Sequence, residues 1–145
     1  MDATSKAIIE QLQEDGRRSY PAIGRAVGLS EAAVRQRVQK LIDAKVMQVV
    51  AVTDPLQLGF TRQAMIGIKS DGDMVATADR VAELAAVDYC LVVAGSVDIL
   101  AEVVCEDDDD LLSTINEIRG IDGVRETETF LYLSLRKQEY DWGTR

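Results

Sequence analysis

Apolar positions in the first fifty residues recur at helical spacing. Ile8, Ile9 and Leu12 mark one face of a helix over roughly 3–14, with Asp2 placed to cap it and Gly16 to stop it. Ser19 opens a second helix. Pro21 is tolerated in its first turn, where no intrahelical N–H bond is lost, and Ile23, Ala26 and Val27 point inward up to Gly28. In Gly28-Leu29-Ser30 the glycine permits a left-handed turn, the leucine plugs the core and the serine caps a third helix, which is a helix-turn-helix signature. Along that third helix Val34, Val38, Leu41 and Ile42 form the buried stripe, so Glu31, Ala32, Arg35, Gln36 and Gln39 turn outward. Met47 to Thr53 then reads as a strand leading away, with a small wing.

After Asp54-Pro55 the pattern changes. Ala64, Ile66 and Ile68 alternate as a strand, and Val75, Ala78, Val81, Ala82 and Ala85 follow at helical spacing. Residues 89–94 and 99–105 are apolar runs around a turn at Gly95–Asp98, which makes a hairpin. A helix follows with Leu111, Leu112, Ile115 and Ile118, then a turn between Gly120 and Gly123, then a long strand over 124–135. The order β-α-β-β-α-β is that of a ferredoxin-like split unit, with two helices on one face of a four-stranded antiparallel sheet. The expected class is therefore α+β, a winged helix-turn-helix followed by a ferredoxin-like βαββαβ domain. The expected boundaries are 1–50, a hinge over 51–61, a second domain over 62–138 and a tail over 139–145. The last strand places Leu131, Leu133 and Leu135 on one face and Phe130 and Tyr132 on the other, although two helices cover only one face. An apolar patch left open in this way usually marks an interface, and it points to a homodimer formed through the sheet.

Charge sharpens the division. The 145 residues carry a formal net charge of −9, yet residues 1–54 hold eight Lys/Arg against seven Asp/Glu, and residues 55–145 hold eight against eighteen. Within 17–45 there are seven basic residues and two acidic ones, a local excess that favours a polyanion. The third helix presents small and polar groups in its first turn, as suits an element entering a major groove about 12 Å wide. Arg35 suits guanine and Gln36 suits adenine. Ser30 and the N–H groups of the helix start suit a phosphate, as do Arg37 and Lys40 on the flank. Glu31, Ala32 and Gln39 complete the outward surface. The same stretch also reads as an ordinary amphipathic helix with a solvated charged face.

Other chemistry is thin. Histidine is absent, which removes Ser-His, Cys-His and His-ligated metal arrangements, and no nucleophile-base pair suggests an enzyme. Cys90 and Cys105 lie in apolar segments and read as buried thiols in a reducing compartment. The run Glu106 to Asp110 raises a divalent cation, but its place before a helix favours capping, so no metal and no cofactor are expected. No apolar run approaches the ~18–20 residues that span a bilayer, and MDATSKAIIEQ lacks a basic-then-apolar leader, so the expected location is cytoplasmic, without a membrane partner.

The runs IIEQLQEDGRRS, AIGRAVGLSEAAVRQRVQKL and VVAVTDPLQLGF together resemble the N-terminal half of the Lrp/AsnC (feast/famine) transcription regulators. Ala94-Gly95-Ser96-Val97-Asp98 resembles that family's G-x-x-D turn, and Gly123 to Thr129 resembles its G-V-x-x-T-x-T entry into the last strand. The resemblance reaches to about Gln138. It implies a sequence-specific regulator that binds double-stranded DNA, works as dimers gathering into octamers, and takes an amino acid or related metabolite beside the G-x-x-D turn. Chemically, Gly95, Ser96 and Val97 offer backbone donors for a carboxylate, Asp98 an acceptor for an ammonium, and Thr127 and Thr129 hydroxyls. From the residues alone, Gly95–Asp98 reads instead as a plain hairpin turn of the kind glycine and aspartate often make. Val97 stands where the family often has an aromatic, which counts against a stacked ligand. The competing reading is a metabolite-binding or assembly protein whose first three helices are a dimerisation arm. Such an arm has no use for Arg35 and Gln36 facing outward.

Overall fold

The computed structural model describes residues 1–145, and the chain divides into two compact units, Met1–Val52 with Arg136–Arg145, and Thr53–Leu135.

The first unit holds α1 (Ala3–Glu14), α2 (Tyr20–Val27) and α3 (Glu31–Asp43). Ile8, Leu12, Ile23, Val34 and Val38 form its core. The Asp2 carboxylate accepts from the Ser5 N–H at 2.7 Å and the Ser30 hydroxyl from the Ala33 N–H at 3.2 Å, so α1 and α3 are capped as expected. Ser19 precedes α2 in extended backbone but makes no side-chain cap bond. Gly28 ends α2 at φ 72°, and the Leu29 N–H returns to the Gly24 carbonyl at 2.9 Å. The end of the chain lies on α1, where the Thr144 hydroxyl donates to the Glu10 carboxylate at 2.5 Å and the Lys6 ammonium donates to the Arg145 carbonyl.

Three expectations for this unit need correction. The strand over 47–53 does not form, and the wing goes with it, because these residues have no ladder partner within the chain; Val46, Val49, Val50 and Val52 stay exposed. Ile42 lies about 100° round the helix from Leu41, which turns it off the buried stripe. Ala26 is exposed, because the core-facing side of the short α2 carries Tyr20, Ile23 and Val27, and Ala26 lies about 100° round the helix from Val27.

The second unit opens with a 3₁₀ turn at Pro55–Leu58, whose start is capped by Asp54. Then come β1 (Arg62–Ser70), α4 (Met74–Ala82), β2 (Val87–Val92), β3 (Ile99–Cys105), α5 (Asp108–Arg119) and β4 (Val124–Leu131). The sheet order is β2-β3-β1-β4 with every pair antiparallel, the expected βαββαβ architecture. Ala64, Ile66 and Ile68 of β1 and alternate residues of β3 meet Ala78 and Val81 of α4 and Leu111 and Ile118 of α5. The other sheet face has no helix over it. Tyr89, Leu91, Phe130 and Tyr132 stand exposed there, in register with Met65, Leu100 and Glu102. Glu102 accepts a 2.8 Å bond from Gln63. Although Tyr132 as a residue is exposed, partial burial of its phenol and the nearby Glu102 charge push that group up to about 12.

Again the edges differ. Helix α4 stops at Ala82, which leaves Ala85 outside it, and Val75 is exposed. Strand β4 ends at Leu131: the Tyr132 N–H still reaches the Gln63 carbonyl at 2.9 Å, but β1 begins at Arg62 and offers nothing further, so Leu133 (91% exposed) and Leu135 leave the sheet. In the acidic run Asp107 caps the Asp110 N–H at 2.9 Å, Asp110 accepts from the Glu106 N–H at 2.9 Å, and Asp108 pairs with Arg62, which holds its carboxyl below the ordinary value. Cys90 and Cys105 are free thiols, both pushed up chiefly by burial.

Candidate nucleic-acid interface and effector turn

Helix α3 turns Ser30, Glu31, Ala32, Arg35, Gln36, Gln39 and Lys40 to solvent, because the 3.6-residue period commits Val34, Val38 and Leu41 to the core. Their partners divide them. The Arg35 guanidinium donates to Glu31 one turn earlier at 2.8 Å and lies 5.1 Å from the centre of the Tyr20 ring. Gln39 donates to Asp43 at 2.8 Å. Lys40, like Arg17, Arg25 and Lys45, has no ion-pair partner.

Arg37 is placed differently from the rest. It is half-buried and donates to the Asp2 carboxylate at 2.7 Å and the Ser5 hydroxyl at 3.1 Å, tying α3 to the start of α1. Arg37 and the Ser5 groups hold the Asp2 carboxyl well below the usual carboxylate range. Arg18 is likewise engaged, by Gln11 and Glu14. Of the seven basic side chains between 17 and 45, Arg18, Arg35 and Arg37 are thus neutralised locally, and the free positive field is weaker than the residue count suggests.

In the second unit Gly95 to Asp98 form the bend between β2 and β3, with Gly95 and Ser96 exposed and Val97 and Asp98 half-buried. Asp98 is fastened at both ends. Its N–H donates to the Ile68 carbonyl at 2.9 Å, and its carboxylate receives the Ser70 N–H at 2.8 Å, where a bulge interrupts the β1–β4 register. Val97 lies on the open face: a Cβ on Gly67 would stand 3.1 Å from Val97 Cγ1 and 3.5 Å from the Phe130 ring. Thr127 and Thr129 pair across β1 with Ile68 and Ile66, so both hydroxyls belong to the helix-covered face, Thr127 half-buried and Thr129 exposed. The fold therefore gathers residues 95–98 and sets Thr127 level with them through Ile68, but puts the two threonines on the side of the sheet opposite Val97.

Nothing in the sequence pairs Asp2 or Ser5 with Arg37, Tyr20 with Arg35, or Ser70 with Asp98; each link spans elements, and only Asp2 carried a local signal, as a cap. Gly24 was equally silent. A Cβ there would stand 2.5 Å from the Leu29 carbonyl oxygen, so only glycine lets the turn fold back on α2.

The AsnC-type helix-turn-helix domain model matches residues 1–42, and the Lrp/AsnC ligand binding domain model matches residues 63–142. The chain belongs to the Lrp/AsnC family. An uncharacterised HTH-type transcriptional regulator of Pyrococcus abyssi is 35% identical over 97% of this chain and 90% of its own. The structure of Escherichia coli AsnC superposes with a TM-score of 0.78 at 26% identity, covering 97% of both chains. A transcriptional regulator of Neisseria meningitidis in complex with L-Met shares the fold, with a TM-score of 0.79 at 23% identity over 97% of this chain and 95% of its own. As an Lrp/AsnC protein, the chain is a DNA-binding transcriptional regulator modulated through a small-molecule-binding domain. No helix is long and apolar enough to cross a membrane.

Proposed function

We propose that this Lrp/AsnC regulator reads specific duplex sequences with the outward face of α3, that it does so as a homodimer closed through the open sheet face, and that an amino acid or related metabolite bound beside Gly95–Asp98 tunes it. The observation that carries the reading is the make-up of α3: a serine-capped first turn without a large apolar side chain, followed by exposed Arg35, Gln36, Gln39 and Lys40. A helix used only for packing gains nothing from these groups, whereas guanine and adenine edges in the major groove match the first two. Arg37 keeps α3 in place, with a phosphate contact as its second duty. Glu31 and Ala32 leave the entry into the groove narrow.

Dimerisation is supported by Tyr89, Leu91, Phe130 and Tyr132 on the uncovered sheet face, and by the exposed valines of 46–52, a strand-forming run without a partner in one chain. Further gathering of dimers into an octamer is part of the same proposal. The effector reading rests on the exposed Gly95 and Ser96 backbone; Thr127 and Thr129 face the helix-covered side of β4, so their hydroxyls serve only a ligand on that side of the turn. Asp98 already serves Ser70, which leaves its second carboxylate oxygen for an ammonium group.

Selection of bound fragments from random duplexes, repeated with each amino acid in turn, tests all three parts. The expected result is a two-fold motif whose half-sites lie about one helical turn, ~34–36 Å, apart, with one amino acid altering retention. Recovery of random fragments in low salt would reject the reading.

A further inference from the structure

We infer that Tyr20, at the start of α2 and outside the recognition helix, is a specificity-determining positioning residue, acting through Arg35. The inference rests on the base-reading role proposed for Arg35. A long arginine side chain gives up much rotamer freedom when it is fixed, and Arg35, with its side chain 64% exposed, has no core to fix it. Two neighbours do so instead. The Tyr20 ring is half-buried and packed on the cluster of Ile8, Ile23 and Val34, which restricts it, and it carries the guanidinium 5.1 Å from its centre. Glu31, one turn earlier on α3, takes one of the five N–H donors at 2.8 Å. The remaining donors keep a fixed fork, the geometry that guanine O6 and N7 require.

Charge points the same way. With Glu31 beside it, Arg35 forms a locally neutral pair and adds little to sequence-independent attraction for phosphates, which grows with each unpaired cation. What the pair retains is direction. Tyr20 therefore makes α2 part of the reading apparatus without touching a base.

The test measures affinity of the full chain for the best selected duplex and its single-base variants over a salt series. The proteins are wild type, Tyr20→Phe, Tyr20→Leu, Glu31→Gln, Arg35→Ala and the Tyr20→Leu/Arg35→Ala double variant. Tyr20→Phe keeps the ring and should behave as wild type. Tyr20→Leu keeps apolar bulk but loses the ring, and should lose about two- to fivefold of discrimination at the base pair that Arg35→Ala relaxes, the size of an exposed cation–π contact. Its salt slope should not move, and the double variant should be no worse than Arg35→Ala. Glu31→Gln, an exposed change that leaves the core intact, should lose discrimination at the same base pair and steepen the salt slope by about one counterion as Arg35 is freed for phosphates.

A uniform loss across all duplexes on Tyr20→Leu, or a loss that persists in the Arg35→Ala background, overturns the inference, because the ring would then act through folding alone. Unchanged discrimination and slope in Glu31→Gln also overturns it, and this arm stands even where Tyr20→Leu folds poorly. If Arg35→Ala loses base preference while both Tyr20 variants keep it, only the positioning role falls. If wild type shows no preference among duplexes, the proposed recognition role falls and the inference with it.

Discussion

Lys40 and Arg37 lie three residues apart on α3 and do different work, because one is free and the other is held. Lys40 faces solvent without an ion pair, so Lys40→Ala should weaken binding to every duplex and reduce the salt slope by about one. Titrations at several salt concentrations check this, and a change in base preference with an unaltered slope would contradict it. Arg37 is bound to Asp2 and Ser5, and acid should expose that link. The carboxyl of Asp2 is depressed, so its stabilising effect is complete above its ordinary value of 3.8 and is lost as pH falls toward the lowered one. Asp2→Asn keeps an oxygen for the Ser5 N–H but has no charge for Arg37. The variant should be less stable than wild type at neutral pH, and denaturant midpoints of the two should converge in strong acid. Equal midpoints at neutral pH would mean that the pair contributes nothing.

The turn between α2 and α3 depends on two glycines for different reasons. Gly28 takes a left-handed φ of 72°, which L side chains adopt at a cost, whereas Gly24 has helical backbone and lacks only room. A methyl group at Gly24 meets the Leu29 carbonyl, a backbone atom that cannot rotate aside. Gly24→Ala should therefore destabilise the first unit by about 1–3 kcal/mol, in the range of overpacked sites. Far-UV circular dichroism during thermal unfolding measures this, and a melting curve identical to wild type would show that the turn has slack. In the second unit the corresponding discipline is register. β4 pairs only as far as β1 extends, and Asp98 satisfies the Ser70 N–H at the bulge in the β1–β4 pairing.

Across the whole molecule the central question is what closes the open sheet face. Phe130, on the edge strand β4, is 48% exposed in a single chain and lies near Val97 over Gly67, part of an apolar surface that solvent does not favour. Phe130→Glu should leave each unit folded but place a charge in the proposed dimer interface. The dimer dissociation constant should rise at least about tenfold, or ~1.4 kcal/mol. Sedimentation velocity over a concentration series reports it, and an undiminished dimer would move the interface elsewhere. Because two linked readers bind half-sites far more tightly than one, the same variant should lose operator affinity even though α3 is untouched.

Local information in the sequence was enough for the helices of the first unit, the order of all six elements in the second and the outward set on α3, because 3.6- and 2-residue periods and cap residues act over a few neighbours. The family resemblance, too, was carried by short motifs in order. What the sequence could not supply were relations between distant residues. Examples are Arg37 turned to Asp2, Arg35 carried on Tyr20, Asp98 given to Ser70, and the threonines of β4 placed across the sheet from Val97. The valine run after Met47 failed as a strand for the same reason. Strand propensity is local, but a ladder needs a partner whose position only the folded chain decides.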